Sequence, residues 1–516
     1  MNPVPHFQPA PHIRVMINIG ACLDISTGTY IKGRRGEHIL NGGLPLITGI
    51  TGIGNNFKST VERFMMLTAM SRMPPIKDSP LTEQAITCDT ESNIHEWHQR
   101  NVIERIAAFH GEDVLDSGRW VISDKTVYTG NVFWEKCKEW MAIKMKIPAK
   151  KMVELPFFNR ERTGPFLIPY PTFCEIDSFT YFETEDVIKM QNENELGESG
   201  ANTIHMRQGL AKMRMLMEIP RLCASSYTYM LMSAHLGKES AMQSAGGGRE
   251  VPVTTLKYLK NGDAIKGVTK LFTFATSICW HAYNASPMIN QGTKGPEYPR
   301  DRDDNLNLDT DLNTVQIRVL RSKSGTSGMS ITLIVSQSEG VLPSLTEFHH
   351  IKEMGRYGLE GNDRTYSLAL YPSCSLSRTT VRGKIDSDEK LCRALNITSE
   401  MCQMENLWHG LPDGFMCSPK QLYDDLIAKG YDWDLLLNTR GWYTYDNDTH
   451  PIPFLSTYDL LNMRAGKYHP YWYPVKQENL STTKIADSAI ASILNKAKTI
   501  LTDYLDDIKV ERLEVS

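Results

Sequence analysis

The sequence of 516 residues has no apolar run long enough to cross a bilayer. Its ten cysteines include no Cys-x-x-Cys pair and no Cys/His zinc spacing, so no structural metal is expected and the thiols suit a reducing compartment. The opening "MNPVPHFQPAPHIRV" lacks the basic-then-apolar order of a secretion signal. A soluble, cytoplasmic protein without membrane contact is therefore expected. An excess of positive charge is missing too. The formal net charge is -4, so nucleic-acid binding would have to come from a local patch rather than from a basic whole. No internal repeat or low-complexity tract is found. Hydrophobic residues at 41% and charged residues at 22% are the proportions of an ordinary globular chain, and the length calls for two or three units.

What is present alternates between strand and helix patterns. "LPLITGI", "QAITCDTES", "TFCEIDSFTYF" and "YTYMLMSAHLG" read as strands. Helical spacing follows Lys58 and recurs in "NIHEWHQRNVIERIAAFHG" and "MRQGLAKMRMLMEIPRLCASS". Such alternation predicts an α/β core with a mostly parallel central sheet. The methionine spacing is read as core packing. Residues 238–268 lose periodicity around "SAGGGREVPVTTLKYLKNGDAIKG" and read as a mobile loop. "LFTFATSICWHA" and "VQIRVLRSKSGTSGMSITLIVSQS" regain strand character on either side of an acidic stretch, "PRDRDDNLNLDTDLN", expected to be a surface loop. Past residue 340 short helices, aromatics and polar turns take over. The predicted division is an N-terminal arm and lead-in element at 1–30, the α/β core at 31–340, and a mixed, α-rich region at 341–516. "DSAIASILNKAKTILTDYLDDI" closes that region as an amphipathic helix.

The chemistry centres on "LITGITGIGNNFKST". In a phosphate-binding loop, backbone N–H groups and a helix N-terminus converge on phosphate, the lysine neutralises it, and the next hydroxyl ligates magnesium. Gly52, Gly54, Asn55, Asn56, Phe57, Lys58, Ser59 and Thr60 would supply these parts. Phe57 departs from the strict G-x-x-x-x-G-K-S/T form, so the loop by itself is equally a plain strand-turn-helix. Three strand ends bear on the choice. Asp177 ends an apolar strand, where a carboxylate would hold magnesium through water or merely cap the strand. Glu91 ends another and would orient and deprotonate a water, or belong to a helix cap. His235 ends a third, where it would contact a terminal phosphate or serve only structure.

The order of strand, phosphate loop, strand with Glu, strand with Asp-Ser, strand with a polar end and glycine-rich loop resembles the RecA-type recombinases, most of all the phage UvsX-like branch, which also has Phe before the loop lysine. The likeness spans about residues 14–345. It implies a RecA-type P-loop ATPase core using ATP and magnesium. Lys58 and Ser59 would bind phosphate and metal, Asp177 would be the magnesium acid, Glu91 the catalytic base, and His235 the polar relay. Arg321 and Lys323 match a basic pair that reaches a neighbouring subunit's ATP. The family's two DNA-binding loops would fall near 182–206 and 236–267. The first is acidic and is followed by Arg207, Lys212 and Arg214; the second carries Lys238, Arg249, Lys257, Tyr258, Lys260 and Lys266, a mix suited to phosphate contact and base stacking. The implied function is ATP-dependent filament formation on single-stranded DNA, with pairing and strand exchange against a homologous duplex in recombination and repair. Further partners would be copies of itself and single-strand-binding or mediator proteins. Phe7 and Ala10 have the Phe-x-x-Ala spacing by which some relatives link subunits. A ring-shaped helicase or motor on the same core, and a nucleotide-gated DNA coat with little ATPase activity, are the rival readings.

Overall fold

A computed structural model describes residues 14–193, 201–238, 256–268, 270–301, 303–304, 310–362 and 364–474. The expected arm, with Phe7 and Ala10, and the closing helix lie outside the described residues, as do Arg249 and the rest of 239–255.

The fold is α/β. It opens with a short helix α1 (Asp24–Thr27) and a hairpin of β1 (Thr29–Lys32) and β2 (His38–Asn41). The central sheet has ten strands: β3 (Ile47–Gly52), β4 (Ala85–Asp89), β5 (Trp120–Asp124), β8 (Thr172–Asp177), β9 (Thr228–Lys238), β10 (Asp263–Ile265), β11 (Ile278–Pro287), β12 (Leu312–Ser322), β13 (Ser330–Ser336) and β14 (Gly340–Val341). A separate hairpin joins β6 (Val153–Phe158) to β7 (Pro165–Ile168). The sheet runs β14-β13-β12-β11-β3-β9-β8-β4-β5, with β10 paired to β9. Neighbours from β11 to β5 are parallel, and the rest are antiparallel. Strands β3 and β8 are buried along their whole length, as expected of parallel strands covered by helices on both faces.

The crossovers carry α2 (Lys58–Arg72), α3 (Glu96–Glu104), α4 (Gly130–Met145), α5 (Glu185–Glu193), α6 (Ala201–Ser226) and α7 (Leu271–Ala275). Three details differ from the sequence expectation. The helix predicted to run to "AAFHG" stops at Glu104, because a separate 3-10 turn at Ala107–Phe109 folds Phe109 into the core. "LFTFA" is helix, not strand, burying Phe272 under β3. The last residues of the acidic stretch are already β12, with Asp311 held by Ser336 and Arg382.

The expected boundary near residue 340 separates nothing. α8 (Pro343–Glu353), the small sheet β15 (Leu359–Gly361), β16 (Tyr366–Leu368) and β17 (Tyr371–Leu376), and α9 (Val381–Ser387), α10 (Glu389–Leu407), α11 (Pro419–Ala428), α12 (Trp433–Leu437) and α13 (Thr457–Arg464) belong to one compact unit ending at His469. The reason is shared burial. α8 packs on both β13 and α10, and Tyr443 and Phe454 lie in the same apolar core as β3. Tyr443 Oη donates to the Met16 carbonyl and Tyr445 Oη to that of Pro74. Pro470–Ser516 form a second unit, described only to residue 474. No described helix is long and apolar enough to cross a membrane, and the ten cysteines are free thiols.

Candidate nucleotide site

β3 ends at Gly52, where an added Cβ would stand 2.6 Å from the Ala282 carbonyl oxygen of the neighbouring strand. Only glycine fits there. The chain then turns through exposed residues 53–55 and enters α2, whose N-terminus no side chain caps. Asn55 and Phe57 both take left-handed backbone, at φ 60° and 55°. The strict motif gives position 57 to glycine, and the reason is visible in that angle. For Phe the left-handed region carries a penalty of about 1–2 kcal/mol, and packing of the ring against the core opposes it. Asn56 Nδ2 donates to the Ala282 carbonyl at 2.9 Å, and Lys58 Nζ to the Ile53 carbonyl at 2.8 Å. The uncapped first turn of α2 and the Lys58 ammonium therefore lie at one turn, a donor set suited to phosphate. Ser59 and Thr60 are half-buried beside it.

The expected strand-end residues gather around this turn. Asp89 closes β4 and accepts from the backbone N–H groups of Glu91, Asn93 and Ile94 at 3.0, 2.8 and 2.8 Å, which fixes the turn that presents Glu91. Thr90 staples that turn to β8. Its N–H donates to the Asp177 carbonyl, its hydroxyl donates to the Ser178 carbonyl, and the Ser178 N–H donates back to that hydroxyl, each at 2.8 Å. Glu91 Oε1 meets His235 Nε2 at 2.8 Å, with both side chains about a quarter exposed (25% and 24%). The His235 ring stands edge-on to Tyr181, and its backbone N–H donates to Thr180 Oγ1.

Asp177 is buried between two donors, Arg63 Nη2 and Ser233 Oγ, each at 2.8 Å. Burial pulls the Lys58 ammonium below its usual pKa, and the nearby charges of Asp177, Glu91 and Glu62 oppose that fall. Burial pushes the Glu175 carboxyl up to about 7 against the pull of Arg63, and raises Glu62 well above the carboxylate range, with Glu175 and Asp177 adding to the rise. Among the described residues no three His, Cys, Asp or Glu side chains form a metal cage. If a magnesium nucleotide bound here, the Ser59 hydroxyl and the Asp177 carboxylate are the groups of this chain that would hold the cation.

The remaining predicted residues are not drawn to this turn. Arg321 pairs in register with Cys279 and Lys323 follows Ser322, opposite Ile278 at the start of β11, whereas the loop lies level with Ala282, four residues further along that strand and at the opposite end of β3. Arg321 Nη1 donates to the Thr273 carbonyl at 2.7 Å, and its guanidinium lies 4.2 Å from the centre of the Phe274 ring. Burial, then the charge of Arg321, lowers the Lys323 pKa. Arg207, Arg214, Lys257, Lys260 and Lys266 are exposed, and Lys238 is exposed and paired with Asp263. Tyr258 is half-buried, with the Lys257 ammonium 5.4 Å from its ring centre. Lys212 does not face solvent. It is 2% exposed, with Nζ donating to the carbonyls of Thr180 and Gly267 at 2.7 and 2.8 Å, because α6 turns that position inward over Phe179. Its place is structural.

Sequence reading passed over Glu62, Arg63, Asp89, Thr90, Glu175 and Ser233. A usable signal existed for three of them, since Glu62 and Arg63 interrupt the apolar helix "VERFMMLTAM" and Glu175 interrupts the strand "TFCEID". No known family model matches this chain, and no curated protein matches it in sequence.

Proposed function

We propose that the protein is a RecA-type ATPase that binds ATP with magnesium at residues 52–60, assembles on single-stranded DNA, and promotes pairing and strand exchange with a homologous duplex. The observation that carries the reading is the 2.8 Å contact of Glu91 with His235 above the buried Asp177, next to a lysine-bearing turn. Open α/β sheets bind ligands at the carboxyl ends of strands where the chain order switches. β3, flanked by β9 and β11, ends at such a point. The first-turn amides of α2 would cradle the phosphates, and Lys58 would leave the Ile53 carbonyl to neutralise them. Magnesium would supply charge neutralisation of the phosphate oxygens as the bond breaks. Glu91 would orient the attacking water and take its proton, with His235 restraining the carboxylate.

His235 also ties this chemistry to the DNA candidates. Its carbonyl accepts from the Lys266 N–H at 2.7 Å, and β9 continues from it to Lys238, which pairs with β10. A shift of the ring on phosphate binding would thus reach the segment that carries Lys257, Lys260 and Lys266. Arg321 and Lys323, at the opposite end of the strands from their own loop, suit contact with a neighbour's nucleotide in a filament.

The test is ATP hydrolysis by the full-length protein with and without single-stranded DNA, alongside electron microscopy with ATP. Stimulated turnover with helical filaments is expected. Rings would favour a motor, and filaments without turnover a DNA coat.

A further inference from the structure

Arg63 lies five residues past Lys58, on α2, which packs on β8. Its side chain is 10% exposed and spans two acids of that strand, with Nη2 2.8 Å from Asp177 Oδ2 and Nε 3.5 Å from Glu175 Oε1. On the far side, Thr87 Oγ1 donates to Glu175 Oε2 at 2.8 Å, and Trp120 Nε1 donates to Thr87 Oγ1 at 2.8 Å. On the near side, Ser233 Oγ donates to Asp177 Oδ1 at 2.8 Å. A continuous polar chain therefore runs from β5 through β4, β8 and α2 to β9.

Stability alone does not explain such an arrangement, because well-packed apolar residues would serve as well or better than buried ions. Orientation does. Asp177 is pinned at both oxygens and cannot turn, yet each oxygen keeps lone-pair capacity for one more donor, such as a water on a metal ion. A guanidinium this close would by itself repel a cation. Glu175 in its ionised form shares that guanidinium with Asp177 and leaves more of the Asp177 charge to the metal.

We infer that Arg63 and Glu175 are paired positioning residues for Asp177, fixing the edge it presents to a magnesium nucleotide and setting how firmly the cation is held. The inference rests on the nucleotide reading above and adds two residues to it. Neither is assigned contact with the nucleotide, so both are positioning and not catalytic.

The test uses the full-length protein and a fluorescent ADP analogue, with magnesium titrated at fixed analogue and the analogue's affinity also measured in chelator. Arg63→Lys keeps the charge but loses the two-acid fork, and Glu175→Gln keeps the shape but leaves Asp177 as the only one of the two spanned acids to pair with the guanidinium. Each is expected to raise the magnesium midpoint about ten- to a hundred-fold, the usual effect of removing a partner of a metal ligand. Affinity in chelator should stay unchanged, since the loop amides and Lys58 are untouched. An unmoved midpoint in either folded variant overturns the inference and leaves the nucleotide reading intact. If the unsubstituted protein binds no analogue under any condition, both fall. Should Arg63→Lys fail to fold by circular dichroism, Glu175→Gln decides alone.

Discussion

His235 Nε2 and Glu91 Oε1 are 2.8 Å apart, although 144 positions separate them in the chain. Their strands are not neighbours. β8 runs between β4 and β9, so the contact arches over the end of β8 and roofs Asp177. The general-base role proposed for Glu91 rests on that position and that partner.

Glu91→Gln should bind ATP normally and lose turnover by about a hundred-fold or more, because the amide still orients water but accepts no proton. Nucleotide binding by fluorescence and steady-state phosphate release check the two halves separately.

His235→Ala should weaken the coupling between DNA and hydrolysis by about three- to thirty-fold, the range expected for one residue in a coupled network. His235→Gln, which keeps a polar end able to reach Glu91, should restore most of it. Equal stimulation by DNA in the alanine variant would remove His235 from the relay.

Lys257→Ala combined with Lys260→Ala should weaken DNA binding on every sequence and flatten the slope of log affinity against log salt by about one to two. Lys212→Met should leave that slope unchanged, since its ammonium is spent on two backbone carbonyls. Binding isotherms at four salt concentrations distinguish these outcomes.

A second buried charged group gives a pH prediction. Asp24 faces Arg72 at 3.8 Å, and Glu347 accepts from Asn396 beneath α10. Burial, opposed by Arg72, holds the Asp24 carboxyl up at about 7, and burial with the charges of Glu400 and Asp24 holds Glu347 up at about 8. Folded pKa values above the unfolded ones mean that their stabilising share is complete below about pH 4 and is lost as pH rises through 7 to 8. Glu347→Gln should remove part of that loss. Denaturant melts at pH 5.5 and 8.5 should then differ less in the variant, by on the order of 1–3 kcal/mol.

Ending the chain at residue 341 should yield no folded core. Removing α8 and α10 would uncover β13 and take Glu347 and Glu400 away from Asp24 and Arg72. A soluble fragment with a cooperative melt would contradict this.

The α/β pattern and the strand ends at Gly52 and Asp177 were legible because each lies where an apolar run meets a polar stop, whereas Glu91 stands two residues past the end of β4 and His235 three residues short of the end of β9. What strand ends could not reveal was lateral. Glu175 reads as a lone polar residue until Arg63, from a helix more than a hundred positions earlier, is laid beside it. The boundary near 340 misled for a related reason. Composition changes there, but the apolar faces on either side, on β13 and α8, are complementary. Lys212 shows the same limit, since nothing in a row of lysines and arginines tells which one turns inward.

The arch of Glu91 over β8 bears on how the molecule comes into being. The turn after β3 needs one distant neighbour, β11, whose Ala282 carbonyl Asn56 bonds. The roof over Asp177 needs three strands in register across long sequence separations, contacts that close late and slowly. During refolding, nucleotide binding is thus expected to return before hydrolysis, and the interval between them times the docking of β9 against β8.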